Sequence, residues 1–392
     1  MMNRRTILGA LAAAFSTSAA ARKAQASSAP PASLPYDVEP RGTVGIQERL
    51  PSLDLESRHE FLTGFRAWTQ RSLGKAAEER ANALFRAKGI DPDGDVPLEQ
   101  VLAALEGDPV VGASVRYWIT GQQHCWKLVA DQFHANAEAY MAELDAAEKA
   151  GPGSLKLDPG FKVPEYASHE IHIQPGGYVG DPFAGYIYHY GTNHFREGTN
   201  DQDQRQKLVV SKVEPPGDGR LIRILDLGCG PGRMATALKD RFPNAEVWGI
   251  DVSGPMLRYA HMRAVDLGKE VHFVQGLAED TGFPDGHFDL VFAYILFHEV
   301  PASVARAIVR EVHRVTRPGG VFQSGDFRAE LRPPKPYFSF RRWWDHRWNN
   351  EPWRNEFQSM HFGNEITKAG FTVRDAKQGL GFLGSLHATR NA

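Results

Sequence analysis

The stretch Ile222-Arg223-Ile224-Leu225-Asp226-Leu227-Gly228-Cys229-Gly230-Pro231-Gly232 constrains this chain more than any other. An apolar run of strand length reaches an acidic residue, enters a glycine-rich turn and continues into a helical pattern from Met234 through Leu238 to Phe242. Strand, glycine turn and helix in this order bring the backbone of a doubly wound sheet close to a nucleotide-like ligand. A dinucleotide fingerprint places its third glycine three residues after the second. Here Gly232 follows Gly230 by two and Arg233 fills the later slot, which makes a poor cradle for a pyrophosphate.

Further strands are expected at Ala245–Ile250 (ending at Asp251), Val271–Val274, Phe288–Ala293 and Gly320–Gln323, with helices at about 253–267 and 302–316. Such alternation predicts parallel βα units. A carboxylate at the tip of the second strand, Asp251, is placed to accept hydrogen bonds from both hydroxyls of a ribose. Taken singly, Asp226 and Asp251 read equally as solvated strand ends, and Val252 and Met256 as ordinary core.

The string from Ile224 to Asp326 resembles a class I S-adenosylmethionine-dependent methyltransferase domain, of the broad type that includes ubiquinone-pathway enzymes. The matching pieces are Leu225–Gly232, Gly249–Ser253, Ala278–Asp280 with Phe283–Asp289, and Arg317-Pro318-Gly319-Gly320. The resemblance implies a Rossmann-like α/β fold, a doubly wound seven-stranded sheet, and S-adenosylmethionine as cofactor. It implies Gly228, Gly230 and Gly232 under the methionine part, Asp226 at the amino group, Asp251 at the ribose, and Val252 and Met256 against the adenine. The Ala278 amide would meet the adenine edge. The family often carries an acidic residue just before that alanine. Here Leu277 stands there, so that hydrogen bond is either missing or supplied by Glu279 or Asp280.

The implied reaction is methyl transfer to an oxygen, nitrogen or carbon nucleophile of a small apolar or aromatic acceptor. The alternative is a non-catalytic sensor or scaffold that binds the same cofactor. An oxygen or nitrogen nucleophile can need a base. His298 and Glu299, just past the fourth strand, are the first candidates, and Asp326, past the fifth, is the next.

Outside this region the reading rests on pattern. Residues 1–26 resemble a twin-arginine export signal, with Arg4-Arg5 ahead of an Ala-rich stretch and Ala24-Gln25-Ala26 as a cleavage site. Periplasmic or exported location is therefore expected, with a cytoplasmic protein bearing a disordered tail as the alternative. Export sits awkwardly with a cofactor made inside the cell. Residues 27–53 read as a flexible leader. Residues 54–150 form a helical N-terminal domain, in which Phe61, Phe65 and Trp68 share a face and Trp126, Val129, Phe133, Ala137, Tyr140 and Leu144 mark one amphipathic helix.

Residues 151–219 make an aromatic, histidine-rich connection and a possible substrate cap, with Tyr186, Tyr188 and Tyr190 alternating as on a strand. Its histidines, including His169, His172, His189 and His194, lack ligand spacing and an acidic or cysteine complement, so no metal is expected. The remainder, 220–392, is the cofactor-binding domain. Within it an aromatic insertion at 332–358 is read as either core or substrate lid. In the lid reading Trp343 and Trp344 join Tyr188 and Tyr190 against the acceptor and the arginines stay at the rim. Phe371–Arg374 and Phe382–Ala388 read as a closing hairpin.

Cys125 and Cys229 offer neither a disulfide framework nor metal spacing. A hydrophobic content of 42% supports a substantial core, and a formal net charge of −2 gives no electrostatic case for nucleic acid. No run approaches ~20 uninterrupted apolar residues, so no stable membrane span is expected. The expected partner is a small-molecule methyl acceptor, and no oligomeric state is implied.

Overall fold

The computed structural model describes residues 53–327, 335–375 and 384–392. The export signal, the leader up to residue 52, the start of the aromatic insertion and Phe382-Leu383 lie outside the described residues.

Eight strands form one sheet: β1 (Ser154–Lys156), β2 (Arg223–Leu227), β3 (Glu246–Asp251), β4 (Val271–Gln275), β5 (Phe288–Tyr294), β6 (Thr316–Asp326), β7 (Phe371–Asp375) and β8 (Gly384–Arg390). Their order is β1-β4-β3-β2-β5-β6-β8-β7. The first six run parallel, and β8 pairs antiparallel with both β6 and β7. The sheet thus has one strand more than expected. β1 is too short to carry an alternation pattern, and it pairs with β4 from Ser154 opposite His272. Gly153 permits that approach, because a Cβ there would sit 2.3 Å from the Val271 carbonyl oxygen.

Alternation along the strands loads both faces of the sheet. Leu225, Leu227, Val291 and Phe322 face one core layer, while Ile224, Val247, Phe273 and Phe292 face the other. The helices are α1 (Leu53–Trp68), α2 (Gly74–Ala87), α3 (Leu98–Leu105), α4 (Pro109–Ala135), α5 (Ala137–Ala147), α6 (Ala184–Asn193) and α7 (Gln204–Val210). They continue with α8 (Arg233–Arg241), α9 (Gly254–Asp266), α10 (Ala302–Val315), α11 (Pro336–Trp348), α12 (Arg354–Gln358) and α13 (Phe362–Lys368). α8, α9 and α10 follow β2, β3 and β5 as crossover helices.

Two expectations change. The single amphipathic helix is two, α4 and α5, because Asn136 leaves helical geometry at φ −120°, ψ 31°. The tyrosine alternation is helical rather than extended: Tyr186 and Tyr190, four apart on α6, enter one aromatic core with Trp126 and Phe133. Tyr188 faces the opposite side. A step of two mimics a strand, but the step of four between Tyr186 and Tyr190 is the one that packing uses.

α6 lies in backbone-close contact with two neighbours. A Cβ on Gly185 would come within 2.3 Å of the Tyr259 Cβ on α9, and one on Gly191 within 2.0 Å of the Trp126 ring on α4. Beside it, buried Asp203 accepts from Arg233 Nε at 2.8 Å and from Arg263, joining the starts of α7 and α8 to α9. Gly191→Ala is therefore expected to cost about 2–3 kcal/mol through overpacking. Urea unfolding of the purified variant checks this, and an unchanged midpoint and slope would refute the close packing.

Candidate functional site

The glycine turn after β2 is held from below. Gly228 and Cys229 donate their amides to the Ile250 carbonyl at 2.9 and 3.0 Å, and Gly230 donates to Asp251 Oδ2 at 2.8 Å. Gly228, Gly230 and Gly232 all have positive φ, of 67°, 49° and 70°. Their surroundings differ. A Cβ on Gly228 would meet Leu296 at 2.8 Å, and one on Gly232 would meet Ala260 at 2.8 Å, whereas Gly230 has nothing within 4 Å. Gly230 faces open space, so the turn offers bare backbone to whatever lies above it.

That space is a cavity of about 430 Å³ at the carboxyl ends of the strands. Asp226, Gly228, Gly230, Asp251, Val252, Met256, Ala278 and Glu279 line one half of it. Of the expected cofactor residues, Gly232 and Leu277 stand outside the wall. Gly232 is the residue capping the start of α8, and Leu277 pairs with Asp280 in an isolated bridge. Glu279 accepts from the Tyr166 hydroxyl at 2.5 Å.

Two carboxyls in this half carry strained electrostatics. Asp226 is 1% exposed and its Oδ2 has no hydrogen-bond partner. Burial, helped by the nearby Asp251 charge, pushes its pKa up to about 8. Burial also raises Asp251, although its Oδ1 accepts from the Ser253 amide at 2.9 Å and its Oδ2 from Gly230. Each Asp251 oxygen retains accepting capacity for a hydroxyl. A ligand with a cationic amino group and a ribose diol would satisfy both sites. Cys229, in the same turn, is a buried thiol held well above its usual range by burial, so it packs rather than attacks.

The opposite half of the cavity comes from distant segments. Tyr178 and Tyr188 line it, with His172, Glu299 and Glu351. The Tyr178 hydroxyl donates to Glu299 Oε1 at 3.2 Å. His172 sits between two carboxylates, with Nδ1 3.1 Å from Glu351 and Nε2 3.8 Å from Glu299. Behind Glu299, fully buried His298 donates from Nδ1 to Asp326 Oδ1 at 2.7 Å, while the Phe297 amide donates to Asp326 Oδ2 at 2.8 Å. Burial opposes a charge on His298, but Asp326 outweighs it and raises that pKa to about 9. Burial pushes Glu299 up to about 8, with His298 opposing and Glu351 and Asp326 adding to the rise. Of the three expected base candidates, only Glu299 reaches the cavity wall. His298 and Asp326 form a buried pair behind it.

The aromatic expectations divide. Tyr188 is in the wall; Tyr190 points into the core with Phe133. Trp343 and Trp344 are not in the wall either. Trp344 is 3% exposed and meets Trp118 edge-on at 4.9 Å, and Trp343 packs beside Phe340. The helix presents Arg341 and Asp345, one turn apart, to the cavity instead. Trp118, Arg66 and Glu351 also line the cavity and have no sequence signal near the glycine motifs. Among the described residues no three His, Cys, Asp or Glu side chains converge on a metal position. His189 bonds Tyr259 and His194 bonds Cys125.

A mostly parallel sheet with this strand order, a glycine turn closed by Asp251 and a buried carboxyl with one unpartnered oxygen near the end of β2 define a class I, Rossmann-like methyltransferase fold. A family model described as a methyltransferase domain matches residues 224–320. An uncharacterised methyltransferase of Synechocystis sp. is 32% identical over 155 residues, covering 38% of this chain and 67% of the relative. A demethylmenaquinone methyltransferase of Thermus thermophilus is 41% identical over 118 residues, covering 30% of this chain and 50% of the relative. A solved S-adenosylmethionine-dependent methyltransferase from Aquifex aeolicus aligns at 22% identity and a TM-score of 0.36, over 47% of this chain and 89% of that one. The matched stretch thus spans two thirds of the first relative and half of the second. The chain belongs to the methyltransferase-domain family, whose cofactor is S-adenosylmethionine.

The raised Asp226 pKa has a measurable consequence. At pH 7 the carboxyl is largely protonated, whereas a cationic amino group favours its ionised form. Binding of S-adenosylmethionine should therefore release a proton, and affinity should rise as pH increases towards 8. Calorimetry in two buffers of different ionisation enthalpy measures the release, and equal heats in both would remove Asp226 from the amino-group position.

Proposed function

We propose that this protein transfers a methyl group from S-adenosylmethionine to an oxygen, nitrogen or carbon nucleophile of a small acceptor, with Glu299 as the base. The carrying observation is that Glu299 lines the same cavity as the glycine turn and is a buried carboxyl with its pKa raised to about 8. In this reading Asp226 takes the amino group, Asp251 the ribose, Val252 and Met256 the adenine faces, and Ala278 the adenine edge. Glu279 borders that end of the cavity. When bound, the cofactor supplies an already activated methyl group on its sulfonium.

The chain's share is to position the acceptor, exclude water and remove a proton. Tyr188 offers the acceptor an aromatic wall. Glu299 receives the proton of an O–H or N–H nucleophile on its carboxylate, while Tyr178 donates to Oε1 and fixes the rotamer. The His298–Asp326 pair stands behind Glu299, His298 Nε2 lying 4.0 Å from Oε1; the His298 charge favours ionised Glu299, and Asp326 and Glu351 oppose it. A base with a pKa near the working pH combines a useful ionised fraction with enough proton affinity.

Glu299→Gln is expected to lower turnover by ~10²–10⁴-fold and to leave S-adenosylhomocysteine affinity nearly unchanged. In the parent, kcat/KM should rise with pH and level off above about pH 8, because the base must be ionised. Radiolabelled methyl transfer from S-adenosylmethionine into a small-molecule extract of the source cells measures this. Undiminished turnover in the variant would sink the base assignment. Tight S-adenosylhomocysteine binding without label transfer under any condition would favour the sensor or scaffold reading.

We also propose that residues 1–26 direct export of the folded protein through the twin-arginine route. The support is the sequence Asn3-Arg4-Arg5-Thr6-Ile7-Leu8 ahead of its Ala-rich stretch. A reporter that needs folded export should reach the periplasm when fused to this leader and stay inside with Arg4→Lys plus Arg5→Lys. A reporter retained with the native arginines would make the protein cytoplasmic.

A further inference from the structure

The cavity wall also takes residues from the N-terminal helices and from α11. Arg66, near the end of α1, is one of them and is only 4% exposed. Its guanidinium lies 3.8 Å from the centre of the Trp118 ring and 5.1 Å from that of Phe195, and Nη1 donates to Gln122 Oε1 at 3.2 Å. Its Nε has no partner. Arg341, from α11, enters the same region with its guanidinium 4.8 Å from the Trp344 ring and 5.9 Å from Trp118. Among the described residues neither arginine forms an ion pair.

Asp345, in the same wall, is engaged by Arg354 at 3.1 Å, and Glu78 lies in the hollow beside Arg341 without an ion pair to it among the described residues. Burial first, and then the like charge of Arg341, lower the Arg66 pKa to about 9. Two guanidiniums held close together, one of them buried with an unused donor, make an arrangement that burial penalises until an anion enters. Guanidiniums over aromatic faces also offer their in-plane donors to a planar, two-oxygen acceptor. A second hollow of about 440 Å³ shares Gln70, Trp118 and Arg341 with the main cavity, so the two adjoin in this region.

We propose that Arg66 and Arg341, backed by Trp118, form an anion subsite that receives a carboxylate on the methyl acceptor, at the end of the acceptor remote from the reacting atom. Acceptors of this enzyme are then carboxylate-bearing, and the subsite sets which end of the molecule faces Glu299. The assignment deepens the methyl-transfer reading and, as a statement about the acceptor, rests on it. The carboxylate is a handle; the nucleophile is a separate group.

The test is thermal unfolding of the full chain at constant ionic strength with benzoate, with the isosteric neutral benzamide, and with inorganic sulfate, each with and without S-adenosylhomocysteine. Benzoate should raise the parent's Tm by at least about 2 °C, as expected for a ligand well above its dissociation constant. Benzamide should not, and sulfate should act more weakly than benzoate. Arg66→Gln and Arg341→Gln should each abolish the benzoate response while keeping the S-adenosylhomocysteine response. A merely structural arginine would lower the starting Tm and leave the benzoate increment intact. If Arg66→Gln does not fold, Arg341→Gln decides alone. No benzoate shift in the parent, an equal shift with benzamide or sulfate, or an undiminished shift in the variants would overturn the proposal. Loss of the S-adenosylhomocysteine response in the parent would instead sink the methyl-transfer reading and leave the anion site to be judged on benzoate.

Discussion

Asp203 holds the architecture to its purpose. This buried carboxylate lies between Arg233, the first residue after the glycine turn, and Arg263 on the following crossover helix, with His189 Nε2 3.9 Å away. Arg233 also reaches the Asn200 carbonyl and Gln206. A charge taken out of water costs several kcal/mol unless its partners are in place. The turn, both nucleotide-side helices and the histidine-rich cap can therefore satisfy Asp203 only together. The glycine turn depends on this arrangement for its position, as it depends on Asp251 for its shape.

The cavity wall carries both signs of charge. Asp226, Asp251, Glu279 and Glu299 line it near the glycine turn and the end of β5, and Arg66 and Arg341 line it with Asp345, Glu351 and Arg354. A cationic cofactor and an anionic acceptor would each meet the opposite charge. The His298–Asp326 pair lies outside the cavity wall, with the His298 ring, rather than Asp326, nearer to Glu299.

The βα units from β2 to β6 were legible because each is a local pattern, an apolar run ending in a turn or an acid and followed by helical spacing. Asp226, Gly230 and Asp251 were legible for the same reason. β1 was not, since three residues have no period and its pairing with β4 joins residues far apart in the chain. α6 was misread because tyrosines at a step of two look extended, while a tertiary contact decides which of them pack. Of the two readings of the aromatic insertion, core and lid, the tryptophans follow the first: Trp344 packs on Trp118, and Arg341 rather than a tryptophan lines the cavity. Arg66 and Trp118 were invisible locally, because only folding brings α1 and α4 to the strand ends. The eventual depth of a side chain is not written in its immediate neighbours.

The two glycines of α6 also bear on how molecules enter and leave. Gly185 and Gly191 bring its backbone against Tyr259 and Trp126 with no room for a methyl group, so that wall has no slack to slide. The α11 side meets the cavity through the side chains of Arg341 and Asp345, beside the Trp118 ring, rather than through closely packed backbone. Any widening of the chamber for exchange of acceptor and product would therefore have to come from side chains on that side and not from a shift of α6.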